Sequence, residues 1–366
     1  MKLLFLLPVS TQARFHRRIT HMQKAGADAR ALTFERDYLP GKPLPCPIET
    51  LGAIGHGRYL HRLTTYLGAL RRIRQAARHA EAIHAFGLDL ALLAWLATRG
   101  LAHPPQLVYE VGDIREAQTG SSLASRIVRA VEQFMIHRCQ VVVVTSPRYI
   151  TGYYAPVLNI EAGRFLVIEN KLPIDFHVST HRPARPVDAP LRIGYFGLLR
   201  CRRSWQTLQR VLQLAPGRFE VLLRGKLWGE AITEEGVANT AGATFDGPYI
   251  SPDDLPSVYG SVDIVWAAHH HGANNLQWAR ANRFYEACAF ARPMIGQLGT
   301  VDGEVIAEHD LGCLIDLSDI ETAANRVVGL DDQHIATWTE HVAQVPEHIY
   351  RHTDEHEQLL ALLDQG

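Results

Sequence analysis

Leu3-Leu4-Phe5-Leu6-Leu7 is an unbroken apolar run of strand length near the start of the chain. A short run without alternation is what a strand buried on both faces of a parallel sheet looks like. After Pro8-Val9-Ser10-Thr11-Gln12, apolar positions recur at helical spacing over 13–24, and Gly26 closes that segment. Residues 30–34 return to strand character, so the chain opens as a βαβ unit. The alternation continues with strands at 81–86 and 106–111, a helix over 122–137, a strand over 140–146 and a last strand over 165–171. Three prolines fall within 181–190, which reads as a stiff linker.

Beyond the linker the pattern restarts. Residues 191–196 are a strand, 197–204 its exit loop, and 205–214 a helix; 219–226 and 262–266 are further strands. A helix from Asn282 ends at a turn, Arg292-Pro293, that leads into another strand, and 345–363 is helical. The predicted class is α/β with two Rossmann-like domains, 1–178 and 191–344, joined by a linker at 179–190 and followed by a helical segment, 345–366.

Composition narrows the class. The 366 residues are 47% apolar and 20% charged, a soluble globular balance. A net charge of −1 gives no nucleic-acid signature. The five cysteines are scattered with no Cys-x-x-Cys, so they predict neither a zinc site nor a disulfide framework and fit a cytoplasmic protein. The apolar start is too short for a signal peptide and is followed by Arg14, Arg17 and Arg18 with no cleavage site.

Ligands of doubly wound sheets sit at the carboxyl ends of the strands. Ser10, Thr11 and Arg14 follow the first strand there, although an ordinary loop and helix start has the same look. Asp113 and Glu116 follow the strand 106–111, where a general base belongs; Asp113 also suits a helix cap. His84 is a third candidate base, assigned to the end of a neighbouring strand. In the second half, Gly197, Arg200 and Arg203 form a glycine turn with a basic loop ahead of a helix, a geometry suited to a diphosphate. Asn282 is placed as the N-cap of its helix with Glu286 on the same face. That pair serves either a capped core helix with a solvated glutamate or a ribose and diphosphate site. His269-His270-His271 invites a metal reading, but adjacent histidines rarely converge on one ion without partners at other spacings. The stretch 51–80 has no acid and includes Arg58, Arg62, Arg71, Arg72, Arg74 and Arg78. It reads as a solvated helix face or, from Arg58 to Arg78, as a surface for anionic lipid headgroups.

The stretch Asn282-Arg283-Phe284-Tyr285-Glu286-Ala287-Cys288-Ala289-Phe290-Ala291-Arg292-Pro293-Met294-Ile295 resembles a pattern of group-1, GT4-like glycosyltransferases. Their C-terminal domains carry Asn-Lys-Phe-x-Glu-x-x-Ala-x-Gly-x-Pro-hydrophobic-Ile; here Arg283 replaces the lysine and Ala291 the glycine. The resemblance implies a GT-B fold, two Rossmann-like domains facing across a cleft, with a C-terminal helix crossing back to the N-terminal domain. It implies a nucleotide-sugar donor, expected to be UDP-linked, and hexosyl or glucuronosyl transfer with no cofactor and no obligatory metal. In this reading Arg200 and Arg203 meet the diphosphate, Arg224, Lys226 and Tyr249 lie near the nucleotide, His271 and Asn275 face the donor sugar, and Glu286 takes the ribose. The N-terminal half takes a glycan or glycolipid acceptor, with Asp113, then Glu116, then His84 as the base. Such an enzyme would work in the cytoplasm, with peripheral contact at the inner membrane face, in polysaccharide or glycolipid assembly. Trp278 stands where many retaining members carry a second glutamate. A GT-B sugar-nucleotide epimerase or a noncatalytic GT-B subunit are the alternative readings.

Overall fold

The computed structural model describes residues 1–35, 41–54, 59–176, 185–186, 189–270 and 277–365. The chain divides into two compact units, Met1–Asn170 with Thr353–Gly366, and Lys171–His352. Most of the expected linker, 179–190, lies outside the described residues.

Among the described residues the first unit has seven strands: β1 (Lys2–Leu7), β2 (Asp28–Glu35), β3 (Ile48–Ala53), β4 (Ala82–Phe86), β5 (Gln106–Val111), β6 (Val141–Val144) and β7 (Phe165–Val167). They pair in the order β3-β2-β1-β4-β5-β6-β7, parallel throughout. The apolar run of β1 lies at the centre, where every residue from Leu3 to Leu7 is buried. The helix Ala13–Lys24 packs Phe15, Ile19 and Met22 onto that sheet. Leu359, Leu360 and Leu363 of the helix Glu355–Asp364 join the same core.

Among the described residues the second unit has six parallel strands: β8 (Leu191–Leu199), β9 (Phe219–Leu227), β10 (Ala243–Phe245), β11 (Ile264–Trp266), β12 (Met294–Gln297) and β13 (Gly312–Ile315), in the order β10-β9-β8-β11-β12-β13. Separate apolar clusters cover its two faces, one around Tyr195, Leu208 and Trp266, the other around Phe196, Tyr259 and Phe284.

The structure corrects three readings. β8 runs on to Leu199, so Gly197 is inside the strand and the exit loop begins at Arg200. Gly197 pairs with Gly225 of β9, whose φ is +137°, and a Cβ on Gly225 would lie 1.9 Å from the Gly197 carbonyl oxygen. The two strands approach so closely there that only glycine fits. The segment 345–363 is not one helix. A helix Asp332–Ala343 ends before Pro346, a single 3-10 turn follows at Glu347–Ile349, and the last helix starts only at Glu355. Proline cannot supply the amide that a continuous helix needs.

His84 is not at a strand end. It lies within β4, fully buried, with Nε2 2.6 Å from a carboxylate oxygen of Glu110 on β5. The other Glu110 oxygen accepts from Arg18 at 2.9 Å, and Arg18 also donates to the Ile168 carbonyl. Burial alone would raise the Glu110 pKa; Arg18, then His84, outweigh it and hold the carboxyl well below its ordinary value of 4.5. This cluster ties the first helix to β4, β5 and the chain after β7.

Removing Arg18 strands a buried carboxylate, which typically costs about 3–5 kcal/mol. Arg18→Met is therefore expected to lower the urea midpoint strongly at pH 7. Because the folded pKa of Glu110 is lowered, its contribution is full above 4.5 and is lost as pH falls through the folded value. The gap between wild type and Arg18→Met should narrow on acidification below about pH 5; a gap that stays constant from about pH 5 to about pH 2 would assign the effect to packing alone.

Candidate functional site

In the second unit the exits of β8 and β11 and the start of the helix Asn282–Ala289 meet at one edge of the sheet. After β8, Arg200 is exposed and Cys201 is buried as the N-cap of the helix Arg202–Leu214. The Cys201 sulfur accepts from the backbone amides of Ser204 and His270, each at 3.4 Å, so it fastens the loop after β11 to the start of the helix. Ser204 adds a hydrogen bond to the Ala268 carbonyl at 3.1 Å.

Arg283 lies in the first turn of the helix Asn282–Ala289. Its guanidinium donates to the Trp266 carbonyl at 3.2 Å and sits 5.2 Å from the centre of the Tyr195 ring. His269 is pushed down to about 3, first by burial, then by the charges of Arg283 and Arg200. It is therefore a neutral imidazole at physiological pH, and its buried Nδ1 has no partner among the described residues. Two guanidiniums and a neutral ring at a helix start form a local positive field suited to a phosphate group.

Glu286, one turn further along, is 3% exposed and accepts from the Tyr259 hydroxyl at 2.7 Å. The reading as a solvated glutamate is therefore set aside. The Tyr259 pKa is raised well above its usual value by burial and then by Glu286.

Of the other expected donor residues, Asn282 and Arg203 are placed differently. Asn282 is the first helical residue and not the cap; the cap position is Ala281, whose amide donates to the Asp302 carboxylate at 3.1 Å. Asp302 also lies 3.5 Å from Arg280, so that acid is neutralised locally. Arg203 points away from the β8 exit and donates to the carbonyls of Leu317 and Ser318 at 2.9 and 3.0 Å. Arg224 donates to the Pro248 carbonyl at 3.3 Å, which fixes the turn carrying half-buried Tyr249. Lys226 lies 5.7 Å from the Trp228 ring centre. His271 and Asn275 lie outside the described residues. The run of three histidines is visible in the sequence but does not by itself single out His269, whose burial comes from the fold.

In the first unit, Asp113 is exposed just beyond β5 and Gly112. A Cβ on Gly112 would fall 2.1 Å from the Phe86 ring and 3.0 Å from an Arg14 nitrogen, so Arg14 reaches under this loop. Arg14 also lies 5.3 Å from the Phe86 ring centre. The Tyr149 hydroxyl donates to the Gly112 carbonyl at 3.2 Å. Burial and then Asp113 raise the Tyr149 pKa, while Arg14 lowers it, so Asp113, Arg14 and Tyr149 share one site. Half-buried Ser10 and Thr11 follow β1. Glu116 is exposed in the short helix Glu116–Thr119. That helix is anchored through Gln118, which donates to fully buried Glu132 at 2.8 Å.

The glycosyl transferase 4-like domain family matches residues 11–171. The succinoglycan biosynthesis protein ExoL of Rhizobium meliloti (strain 1021) is 30% identical over 336 residues, covering 88% of this chain and 83% of that protein. Among solved structures, Anabaena HepE in complex with UDP and glucose superposes with a TM-score of 0.73 at 18% identity over 100% of both chains. Sucrose-phosphate synthase from Thermosynechococcus elongatus superposes with a TM-score of 0.74 at 15% identity over 100% of this chain and 99% of that one. Two parallel Rossmann-like sheets, the helix bearing Arg283 and Glu286, and these likenesses lead to one assignment: the chain belongs to the GT4-like, group-1 family of glycosyltransferases with the GT-B fold.

Proposed function

We propose that this glycosyltransferase uses a UDP-sugar and transfers a hexosyl or glucuronosyl group to a hydroxyl of a glycan or glycolipid acceptor in polysaccharide assembly, without a metal cofactor. The observation that supports it best is the grouping of Arg200, Arg283 and neutral His269 at the exit edge of the second sheet. A leaving UDP gains negative charge at its diphosphate as the glycosidic bond breaks, and fixed guanidiniums stabilise that charge without reorganising. Glu286, oriented by Tyr259, is the proposed ribose partner. ExoL is named for succinoglycan biosynthesis and HepE was solved with UDP and with UDP-glucose, which supports the polysaccharide and uridine parts of the reading.

On the acceptor side, Asp113 is the proposed base. An acceptor hydroxyl must lose its proton as it attacks the anomeric carbon, and an exposed carboxylate at a strand end is placed to take it. Arg14 beneath the same loop would hold polar groups of the acceptor.

A charge-assisted hydrogen bond contributes about 1.5–3 kcal/mol, so Arg200→Ala and Glu286→Gln should each weaken UDP binding about tenfold or more by calorimetry. Glutamine keeps an oxygen for Tyr259, which protects the fold. Arg203→Ala should change UDP affinity less than about twofold, since its guanidinium serves backbone carbonyls. Equal losses in Arg200 and Arg203 variants would overturn this donor geometry. Asp113→Asn should retain UDP affinity and cut turnover at least about a hundredfold. Full activity in Asp113→Asn would exclude it as the base and leave proton removal to the departing diphosphate.

A further inference from the structure

Part of the basic stretch 58–78 is tied down by a carboxylate and by carbonyls. Arg72 pairs with Glu49 at 2.8 Å, and Arg74 donates to the Ala97 and Arg99 carbonyls at the end of the next helix. Arg58 lies outside the described residues. Glu132, in the helix Leu123–Ile136, is held differently. It is fully buried and, among the described residues, meets neutral donors only. Tyr109, Gln118 and Tyr154 donate to one of its carboxylate oxygens at 3.1, 2.8 and 2.9 Å, and Tyr153 donates to the other at 2.7 Å. Burial, with Glu132 among the further causes, raises the pKa of all three tyrosines, so they stay O–H donors at neutral pH. A buried carboxylate held without a cation depends on every one of its hydrogen bonds.

Those donors bracket one loop. Tyr109 is on β5, just ahead of Gly112 and Asp113, and Gln118 is in the short helix that follows them. Both ends of the Asp113 loop therefore finish on the same carboxylate. Gln118 also accepts from the Arg115 amide at 2.7 Å through its side-chain oxygen. Ile114 between them is buried, and the Tyr149 hydroxyl holds the Gly112 carbonyl. Arg129, one turn before Glu132 on the same helix, donates to the Gln118 and Gly120 carbonyls at 2.9 and 2.7 Å. The backbone on either side of Asp113 is thus fixed while the Asp113 side chain is exposed. Tyr153 and Tyr154 come from a π-helical turn, Ile150–Tyr154. Pro156 follows it and cannot share a regular helical turn with the Gly152 carbonyl. The widened turn brings two adjacent side chains to one carboxylate, and such turns recur at functional sites.

We infer that Glu132 is a positioning residue of the acceptor site, which through Gln118 and the tyrosines holds the loop 112–116 so that Asp113 meets the acceptor hydroxyl in one orientation. Glu132 is buried and touches no substrate; it acts through the loop. The inference rests on the reading of Asp113 as the base. A core network that served stability alone would be satisfied by donors from anywhere. Here they come from both flanks of a single exposed loop, and Arg129 grips the same loop from the same helix. A reacting group displaced by about 1 Å can lose about a hundredfold in rate, so fixing this backbone bears directly on turnover.

The test uses Glu132→Gln and Gln118→Met in the full chain. The first removes the charge and keeps the size; the second cuts the loop from Glu132 and leaves the three tyrosines in place. Amide hydrogen exchange over 112–119 should become at least about tenfold faster in both, with the helix Leu123–Ile136 unchanged in Gln118→Met. Turnover is read as UDP released from whichever of UDP-glucose, UDP-galactose and UDP-glucuronic acid the wild-type chain hydrolyses fastest. It should fall at least about tenfold in both variants while UDP affinity stays within about twofold. In an Asp113→Asn background, Gln118→Met should change turnover less than about twofold, because the group it positions is gone. If either variant melts early, Arg129→Gln loosens the same loop from its other grip and should show the same pattern. Unchanged exchange over 112–119, or faster exchange with unchanged turnover, would overturn the inference. So would a full further loss from Gln118→Met in the Asp113→Asn background. Full activity in Asp113→Asn would remove the base assignment alone, and the exchange data would still decide whether Glu132 holds the loop.

Discussion

All strands in both sheets run parallel, and that constraint decides where the chemistry can be. Parallel strands leave their sheet at one edge, and each crossing helix begins at that edge with its first amides unsatisfied. In the second unit β8 and β11 are neighbours although β9 and β10 lie between them in sequence, so their exit loops diverge from a shared point. Cys201, His269 and His270 come from those two exits, and Arg283 comes from the helix that follows β11. In the first unit β1 and β4 make the corresponding switch, with Arg14 after β1, Phe86 at the end of β4 and Asp113 beyond adjoining β5. No local motif in the sequence joins these residues; the sheet order does.

Charge is handled differently in the body of each unit and at its exit edge. Within the first unit, buried Glu110 is matched by Arg18, and buried Glu132 receives hydrogen bonds from Tyr109, Gln118, Tyr153 and Tyr154. Such groups would be costly if unpaired, and their pairing marks them as structural. At the exit edge of the second unit, Asp302 is taken up by Arg280 and the Ala281 amide, and Glu286 by Tyr259. Burial first, then the charges of Arg283 and Arg200, keep His269 neutral. The local positive field is thus a product of where the acids are tied down as much as of where the arginines stand.

The strand and helix alternation was legible because the buried strands are apolar runs. β3, β10 and β13 were not: Ile48-Glu49-Thr50-Leu51-Gly52-Ala53 lies at the sheet edge with only Leu51 buried, and β10 and β13 are short strands at the two edges of the second sheet. Side-chain roles were less legible wherever the partner is distant in sequence. Arg203 looks like a phosphate ligand beside its own glycine turn, but the carbonyls that hold it are more than a hundred residues later. Asn282 has the chemistry of a cap, yet the carboxylate serving that helix start comes from Asp302 on another helix. His84 was assigned to a strand end, but it lies mid-strand with β4 running two residues past it to Phe86, and exact strand ends are blurred in sequence when the apolar run fades gradually.

The clearest departure from the family pattern shows how the glutamate is held. Ala291 stands at the glycine position and does adopt a left-handed backbone, with φ of +50°. A Cβ there costs about 1 kcal/mol, which is why glycine is usual at the end of a helix. The turn is retained because Arg292 donates its amide to the Ala287 carbonyl at 2.9 Å and Ala291 donates to Cys288 at 3.2 Å, closing the helix and directing the chain into β12. The same turn buries the Arg292 side chain, which donates to the Tyr259 carbonyl at 2.8 Å, and the Tyr259 hydroxyl in turn donates to Glu286. The end of the helix therefore orients a carboxylate one turn back through a residue on a different helix. An alanine can replace the glycine because the conformation is enforced by those hydrogen bonds, and the position of Glu286 depends on that conformation rather than on the residue that adopts it.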